Sequence, residues 1–382
     1  MANTLSAVAG DAYKAAEIVG KEGVGLINSI QLNTGAEAVA INETVTSLTT
    51  PAPTVNSSVT PAMTIPEGDD QTIGSDTMTL SQIANVQINL TGEEERLIDT
   101  NYSTESVQTN RFARAYRALR NQIEAHCCTV AYQSASRAHG TAGTTPFASN
   151  FNEVAELRQI LFDNGFWVDN DPANMSLVIN SLAGTNLRQL ATLTGANTAG
   201  TTDTLRIGEL LNLQGFSFKE SAGIQSHTKG TGTTYQTSAA EAVGSTTIDA
   251  DTGSGTILAG DVVTFTGDAV NKYMVNTALS GGEFTIGDTG IIETVADDTA
   301  LAVGDDFTAN IAVRRDVMEL AARPLAAPSN DAAVDVLTVP DELSGLVYEI
   351  REYGGFHKGM WSISIVYQAK VWESAGVAVL LG

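Results

Sequence analysis

The chain has 382 residues, enough for two or three packed units, and carries 44 acidic against 20 basic side chains, a formal net charge of −24. That balance excludes a protein whose affinity for nucleic acid comes from neutralising phosphates. There is no run of eighteen apolar residues and no basic-then-apolar leader, and the two cysteines, Cys127 and Cys128, are adjacent. The sequence therefore predicts a soluble chain made in a cytoplasm, with no membrane span and no disulfide framework.

Residues 1–35 read as an arm. Residues 7–19 can form a short amphipathic helix, which Gly20, Gly23 and Gly25 then break. Such a segment has little to bury against itself and is expected to lie on another subunit. Residues 36–92 alternate as strands do, through Val39, Ile41 and Val45 and again through Met78, Leu80, Ile83, Val86, Ile88 and Leu90. The Pro-, Thr- and Ser-rich stretch between these runs is too long for an ordinary hairpin loop; it reads as an extended hairpin reaching over a neighbour, with disorder as the alternative.

Residues 93–165 hold the organising element. Residues 103–138 contain neither Gly nor Pro, with Ser103 or Thr104 as N-cap and Gly140 as the stop. Phe112, Tyr116, Leu119, Ile123, Cys127, Val130 and Ser134 recur at steps of four and three, one narrow apolar stripe on a helix of about 50 Å at about 1.5 Å per residue. This spine is expected to be a strut with a polar side open to neighbours rather than a core element. Arg111, Arg114, Arg117 and Arg120 step along another face, and Glu93, Glu94 and Glu95 precede the helix. These seven are the candidate inter-subunit contacts: the arginines face enclosed DNA, pair with carboxylates of a neighbour, or are simply solvated. A second helix over residues 152–163 buries Val154, Leu157, Ile160 and Leu161 and ends at Asn164-Gly165.

Residues 166–227 contain a buried strand from Met175, a helix near 185–193 and a strand pair around Gly215. Residues 228–309 turn to Thr, Gly, Asp, Ala and Val, with short strands at 256–258, 262–266, 273–276, 283–286 and 291–294, the pattern of a small all-β barrel or sandwich inserted into the chain. Residues 310–382 resume the main body: a strand turning into a short helix closed by Pro324, then strands at 346–351, 360–367 and 377–381. Trp361, Ile363 and Ile365 share one face, with Ser362, Ser364 and Val366 on the other.

In this order the pieces resemble the major capsid proteins of tailed bacteriophages, which share the Hong Kong 97-type fold, and most of all the podophage coat-protein branch with an inserted β-domain. Two stretches carry the resemblance beyond order. One is AVRRDVMELAARPL (residues 312–325), followed by a long strand region ending near Gly-Val-Ala-Val; the other is TILAGDVVTFTG (residues 256–267). The resemblance implies an α+β capsid fold with arm, extended loop, spine helix, peripheral and axial domains and an inserted all-β domain. It implies a homo-oligomer of hexamers and pentamers closing into an icosahedral virion shell. A separate scaffolding protein, a portal protein, a decoration protein and expansion on packaging of double-stranded DNA, enclosed without sequence-specific binding, belong to the same picture. The acidic balance suits such a wall. The family founder's Lys–Asn crosslink has no counterpart, since no lysine lies between Lys21 and Lys219. An encapsulin-like shell is the alternative within the class, and an acidic β-rich adhesion protein the alternative outside it.

No enzyme, cofactor or metal is expected. His126, Cys127 and Cys128 point about 100° apart on a helix and cannot converge on one ion. The DADTGSG run at 249–255 starts like a calcium loop, but its twelfth position is Gly260 where a bidentate Glu is needed. No nucleophile elbow, HExxH or phosphate loop is present.

Overall fold

Residues 104–133 form one continuous helix because nothing in them breaks the backbone ladder, and the rest of the chain is layered on it. The computed structural model describes residues 5–22, 25–35, 37–49, 60–61, 63–64, 72–101, 104–169, 171–190, 193, 212–328, 330–341 and 344–382. Among them the helices are α1 (Leu5–Gly20), α2 (Gly92–Asn101), α3 (Thr104–Gln133), α4 (Asn152–Asp163) and α5 (Ser181–Gln189). The 30 residues of α3 span about 45 Å. It ends short of Gly140, because the chain turns at Ser134 and enters a strand, Arg137–Gly140, parallel to Val377–Leu381.

One sheet runs Gln31–Thr34, Met318–Arg323, Lys358–Val371, Val347–Gly355, Ala333–Pro340, with Gln82–Thr91 also pairing along Lys358–Val371. A second sheet begins Ser217–Glu220, Met175–Ile179, Phe307–Arg314, Val377–Leu381, Arg137–Gly140 and continues into Asp268–Ser280, Glu283–Ile286, Thr247–Asp251 and Gln236–Thr237. The central strands of this second sheet read as unbroken apolar runs because both faces are covered. Val178, Ile311, Val313, Val377 and Val379 face the spine, whereas Leu177, Ile179, Ala312, Ala378 and Leu380 face α4 and α5. That alternation is the strand period of two expressed as two separate cores.

The spine is buried on more than its stripe. Phe112, Tyr116, Leu119, Ile123 and Cys127 are buried as expected, but so are Ala113, Ala115, Cys128, Ala131 and Tyr132. The first sheet covers one side, with Phe112 against Trp361 and Tyr116 against Tyr348. Helix α1 covers another through Ala12, Ala15, Ala16 and Val19. The reading of a strut outside the core is therefore corrected: the narrow stripe is part of a wider contact that also takes in three alanines, Cys128 and Tyr132. The arm, expected on another subunit, is likewise seated on its own chain.

Three sequence expectations of secondary structure fail for identifiable reasons. The helix expected after Arg314 is a single 3-10 turn, Arg315–Val317, followed by the strand Met318–Arg323. Met, Glu, Leu and Ala favour helix intrinsically, but Met318, Leu320 and Ala322 fill the main core while Ala321 fills another, and packing overrides propensity. Residues 256–258 and 291–294 are irregular rather than strands. Helix α5 starts before residue 185 because the Asn180 side chain accepts Ala183 N–H at 2.8 Å as an N-cap. By contrast α4 spans Asn152–Asp163 as read, with Gly165 at φ +78° closing it. The strands Thr44–Thr49 and Gly74–Thr79 pair as a hairpin base, while most of the stretch read as its tip (50–59, 62 and 65–71) lies outside the described residues, as does all of 194–211.

Ile123 is fully buried at the middle of the spine. Ile123→Ala is expected to lower stability by about 2–5 kcal/mol, read as a shift of the urea midpoint without change of slope.

Candidate assembly surface

The four spine arginines do not form one external stripe. Arg117 Nε donates to both carboxylate oxygens of Glu22 at 2.6 and 2.8 Å. Arg120 is buried, donating to the Val19 carbonyl and to Glu22 Oε2 at 3.3 Å. Val19 lies in the last turn of α1, whose carbonyls have no partner within the helix, so Arg120 supplies both a donor and a positive charge where the helix dipole is negative. The Arg117 hydrogen bond holds the Glu22 carboxyl below the usual carboxylate range. Arg114 is exposed and Arg111 half-buried. Of the three glutamates, Glu94 and Thr91 form a reciprocal cap on α2, with Thr91 N–H donating to Glu94 Oε2 at 3.1 Å and Glu94 N–H to Thr91 Oγ1 at 3.3 Å. Glu93 is exposed and Glu95 half-buried beside Glu352.

The residue that sequence reasoning missed is Glu124, one turn beyond Arg120. It is buried; Oε1 accepts Leu26 N–H at 2.6 Å and the Ser221 hydroxyl at 2.7 Å, and Oε2 accepts Ile27 N–H at 3.0 Å. Lys219 reaches the same knot, donating to Asn28 O at 3.0 Å and Ser29 Oγ at 2.9 Å, and burial lowers its pKa. Backbone approaches so closely here that a Cβ on Gly25 would lie 2.5 Å from Ser221 Cβ, and one on Gly223 2.5 Å from Glu124 Cγ. The faint sequence signal was Gly25, read only as a break.

A second knot explains the Gly-Asp pair of the TILAGDVVTFTG run. Asp261 is buried and accepts Leu258 N–H at 2.7 Å and Gly230 N–H at 3.0 and 3.1 Å; His227 Nε2 lies 2.7 Å from its Oδ1. The His227 ring packs on Tyr132, near the end of the spine, and on Phe307. Gly260 sits at φ +93°, where a Cβ would come within 2.5 Å of the Tyr132 ring. Residues 235–303 have their own core, including Tyr235, Ile248, Phe265, Tyr273 and Phe284. They are nevertheless joined to the body through Lys272↔Ala138 and Tyr273↔Arg137 pairing and through the Asp288–Ser374 contacts.

The outward features lie elsewhere. The hairpin base is tied down where Lys370 Nζ meets Asp76 Oδ1 at 2.5 Å and Thr77 O at 2.8 Å, yet Leu48 on it is 75% exposed. At the edge of the first sheet, Val334 and Val336 face solvent, and Phe356, on the adjoining turn, is 93% exposed. Among the described residues no three His, Cys, Asp or Glu side chains are arranged to hold a metal ion, and burial pushes the Cys127 and Cys128 thiols well up. No described helix is long and apolar enough to cross a membrane.

Removing the Glu124 carboxylate leaves two buried N–H groups without acceptors, about 1–3 kcal/mol each. Glu124→Ala is expected to expose Lys14 and Lys21 to trypsin, read as faster arm cleavage with the remainder of the chain resistant. The Glu22 pKa is depressed in the fold, so its stabilising contribution is present above the ordinary carboxylate range and lost as pH falls through the lowered value. Arm cleavage in the native chain should therefore rise in acid, and a Glu22→Gln variant should cleave rapidly at every pH, measured with an acid-tolerant protease.

No family model and no curated protein sequence matches the chain. Among solved structures, the capsid structure of cyanophage P-SCSP1u is similar over 94% of this chain and 88% of that one, with TM-score 0.51 at 9% identity. The mature capsid of bacteriophage PhiM1 covers 94% and 87% with TM-score 0.49 at 8% identity, and a chain of Mycobacterium phage Che8 covers 89% and 84% with TM-score 0.48 at 15% identity. At 9% identity the cyanophage match is a likeness of fold alone. The chain has the mixed α+β Hong Kong 97-type capsid fold over most of its length.

Proposed function

We propose that this chain is the major capsid protein of a tailed-phage-type particle, a structural subunit that assembles into hexamers and pentamers of an icosahedral shell. The observation that carries the reading is the fold likeness to a phage capsid subunit across 94% of the chain. Three features of the molecule support it. The spine, arm and sheets complete one another inside a single chain, so the subunit is a rigid block that can be repeated. The hairpin base with Leu48 and the sheet edge with Val334, Val336 and Phe356 are left to face other copies. The charge of −24 repels an enclosed polyanion, so the wall contains DNA without gripping it.

Shell subunits meet through heterologous contacts that close by rotation, and with no lysine between Lys21 and Lys219 the contacts here are noncovalent. Arg111, Arg114 and Glu93 remain the charged candidates for them; Arg117, Arg120 and Glu94 are engaged within the subunit, and Glu95 is half-buried beside Glu352. Assembly around a scaffolding protein, with a portal at one vertex and expansion as DNA enters, completes the proposal, and residues 228–309 act as the inserted domain.

Negative-stain electron microscopy of the protein, expressed alone and together with the products of its neighbouring genes, tests this. Uniform closed shells in either preparation are expected. A stable monomer or small oligomer in both would overturn the reading.

A further inference from the structure

At the outer edge of the first sheet the strand Ala333–Pro340 is, among the described residues, paired on one side only, with Val347–Gly355. Two like charges lie directly opposite each other in that pair: Asp335 faces Glu352. Opposed carboxylates at the separation of an antiparallel pair are destabilising. The register shifts just before them, between Ala333 and Asp335, and Val334 at the shift is turned out to solvent. On its other side Glu352 faces Trp361 of Lys358–Val371. Its Oε2 is buried and has no hydrogen-bond partner. Helix α2 brings a third carboxylate, Glu95, to the same cleft of about 250 Å³, which His357 and Lys358 also line. The next cation along the strand, Arg351, is already engaged by Glu349 and Asp331 at 2.6 Å each. Asp335 and Glu95, from two other elements, thus converge on Glu352, and among the described residues neither its buried Oε2 nor the Nε1–H of the facing Trp361 is held in a well-formed hydrogen bond.

We propose that Glu352 is a proton-sensitive lock on this edge, seating the strand Ala333–Pro340 and helix α2 against the sheet when it carries a proton and loosening both when it is ionised. A neutral carboxyl removes the repulsion with Asp335 and Glu95 and turns an O–H donor toward those two acceptors. Burial first, then Asp335, push the Glu352 carboxyl above the usual glutamate range, while Trp361 opposes the shift. Because the folded value is raised, the locking contribution is fully present below the ordinary carboxylate pKa and is lost as pH rises through the folded one. The sense is opposite to that of the Glu22 contact, so acid tightens this edge while it frees the arm.

Hydrogen exchange of the full chain, followed by mass spectrometry from about pH 5 to about pH 8 with intrinsic chemical rates divided out, tests the lock. Protection of residues 333–340 and 92–98 is expected to fall about tenfold across this range, while Glu352→Gln keeps high protection throughout. No fall in the native chain, or the same fall in Glu352→Gln, overturns the proposal. If Glu352→Gln does not fold, Asp335→Asn is read instead: its fall should be smaller and begin at lower pH, and a profile matching the native one overturns the proposal. His357→Gln should keep the native profile; loss of the fall in that variant would make the histidine the sensor and overturn the assignment to Glu352.

Discussion

A single buried carboxylate sets how the three main parts of this molecule sit together. Glu124 projects from the middle of the spine and accepts two backbone N–H groups of the arm and a hydroxyl from the second sheet's margin. Removing an ionised carboxylate from water costs several kcal/mol, and the geometry offsets that only because its donors are short-range and fixed, with Lys219 close by. The requirement for close approach explains glycine at positions 25 and 223. Around this point Arg117 and Arg120 bind Glu22 and the end of α1, so the arm is fastened at both a charged and an apolar contact.

The same logic recurs at the far end of the spine. Asp261 gathers His227, Gly230 and Leu258, while Tyr132 and Phe307 enclose His227. Strand pairing across Arg137–Gly140 then extends one sheet from body to unit. The spine is thus gripped near its middle and at its end. What stays outward is the hairpin base, the edge strand and the exposed part of the arginine face. These are the described elements that contribute least to the core.

Much of the architecture was legible from local pattern. The helix Asn152–Asp163 and the strands Glu283–Ile286 and Val377–Leu381 have the expected bounds because turn residues flank a clean period. The spine was legible from its length without Gly or Pro. Met318–Arg323 was not, because a strand covered on both faces carries no polar alternation and its residues favour helix in isolation. The arginines at three-residue spacing suggested an outer surface, but spacing says which residues share a face and not what covers it. Glu124 was invisible for the same reason: a lone acid beside an apolar stripe acquires meaning only when residues about a hundred positions away in both directions close on it. The edge carboxylates depended on register, which no single strand reveals.

The central claim is that one chain completes its own spine, arm and sheets, and offers neighbours only what lies outside that frame. An electron cryomicroscopy reconstruction of the assembled particle at side-chain resolution tests it most directly. The account predicts that every subunit keeps Glu22 on its own Arg117 and Glu124 on its own Leu26 and Ile27 amides, in both hexamers and pentamers. Arm helices found on a neighbouring subunit's spine, with Glu124 turned away from its own chain, would contradict it.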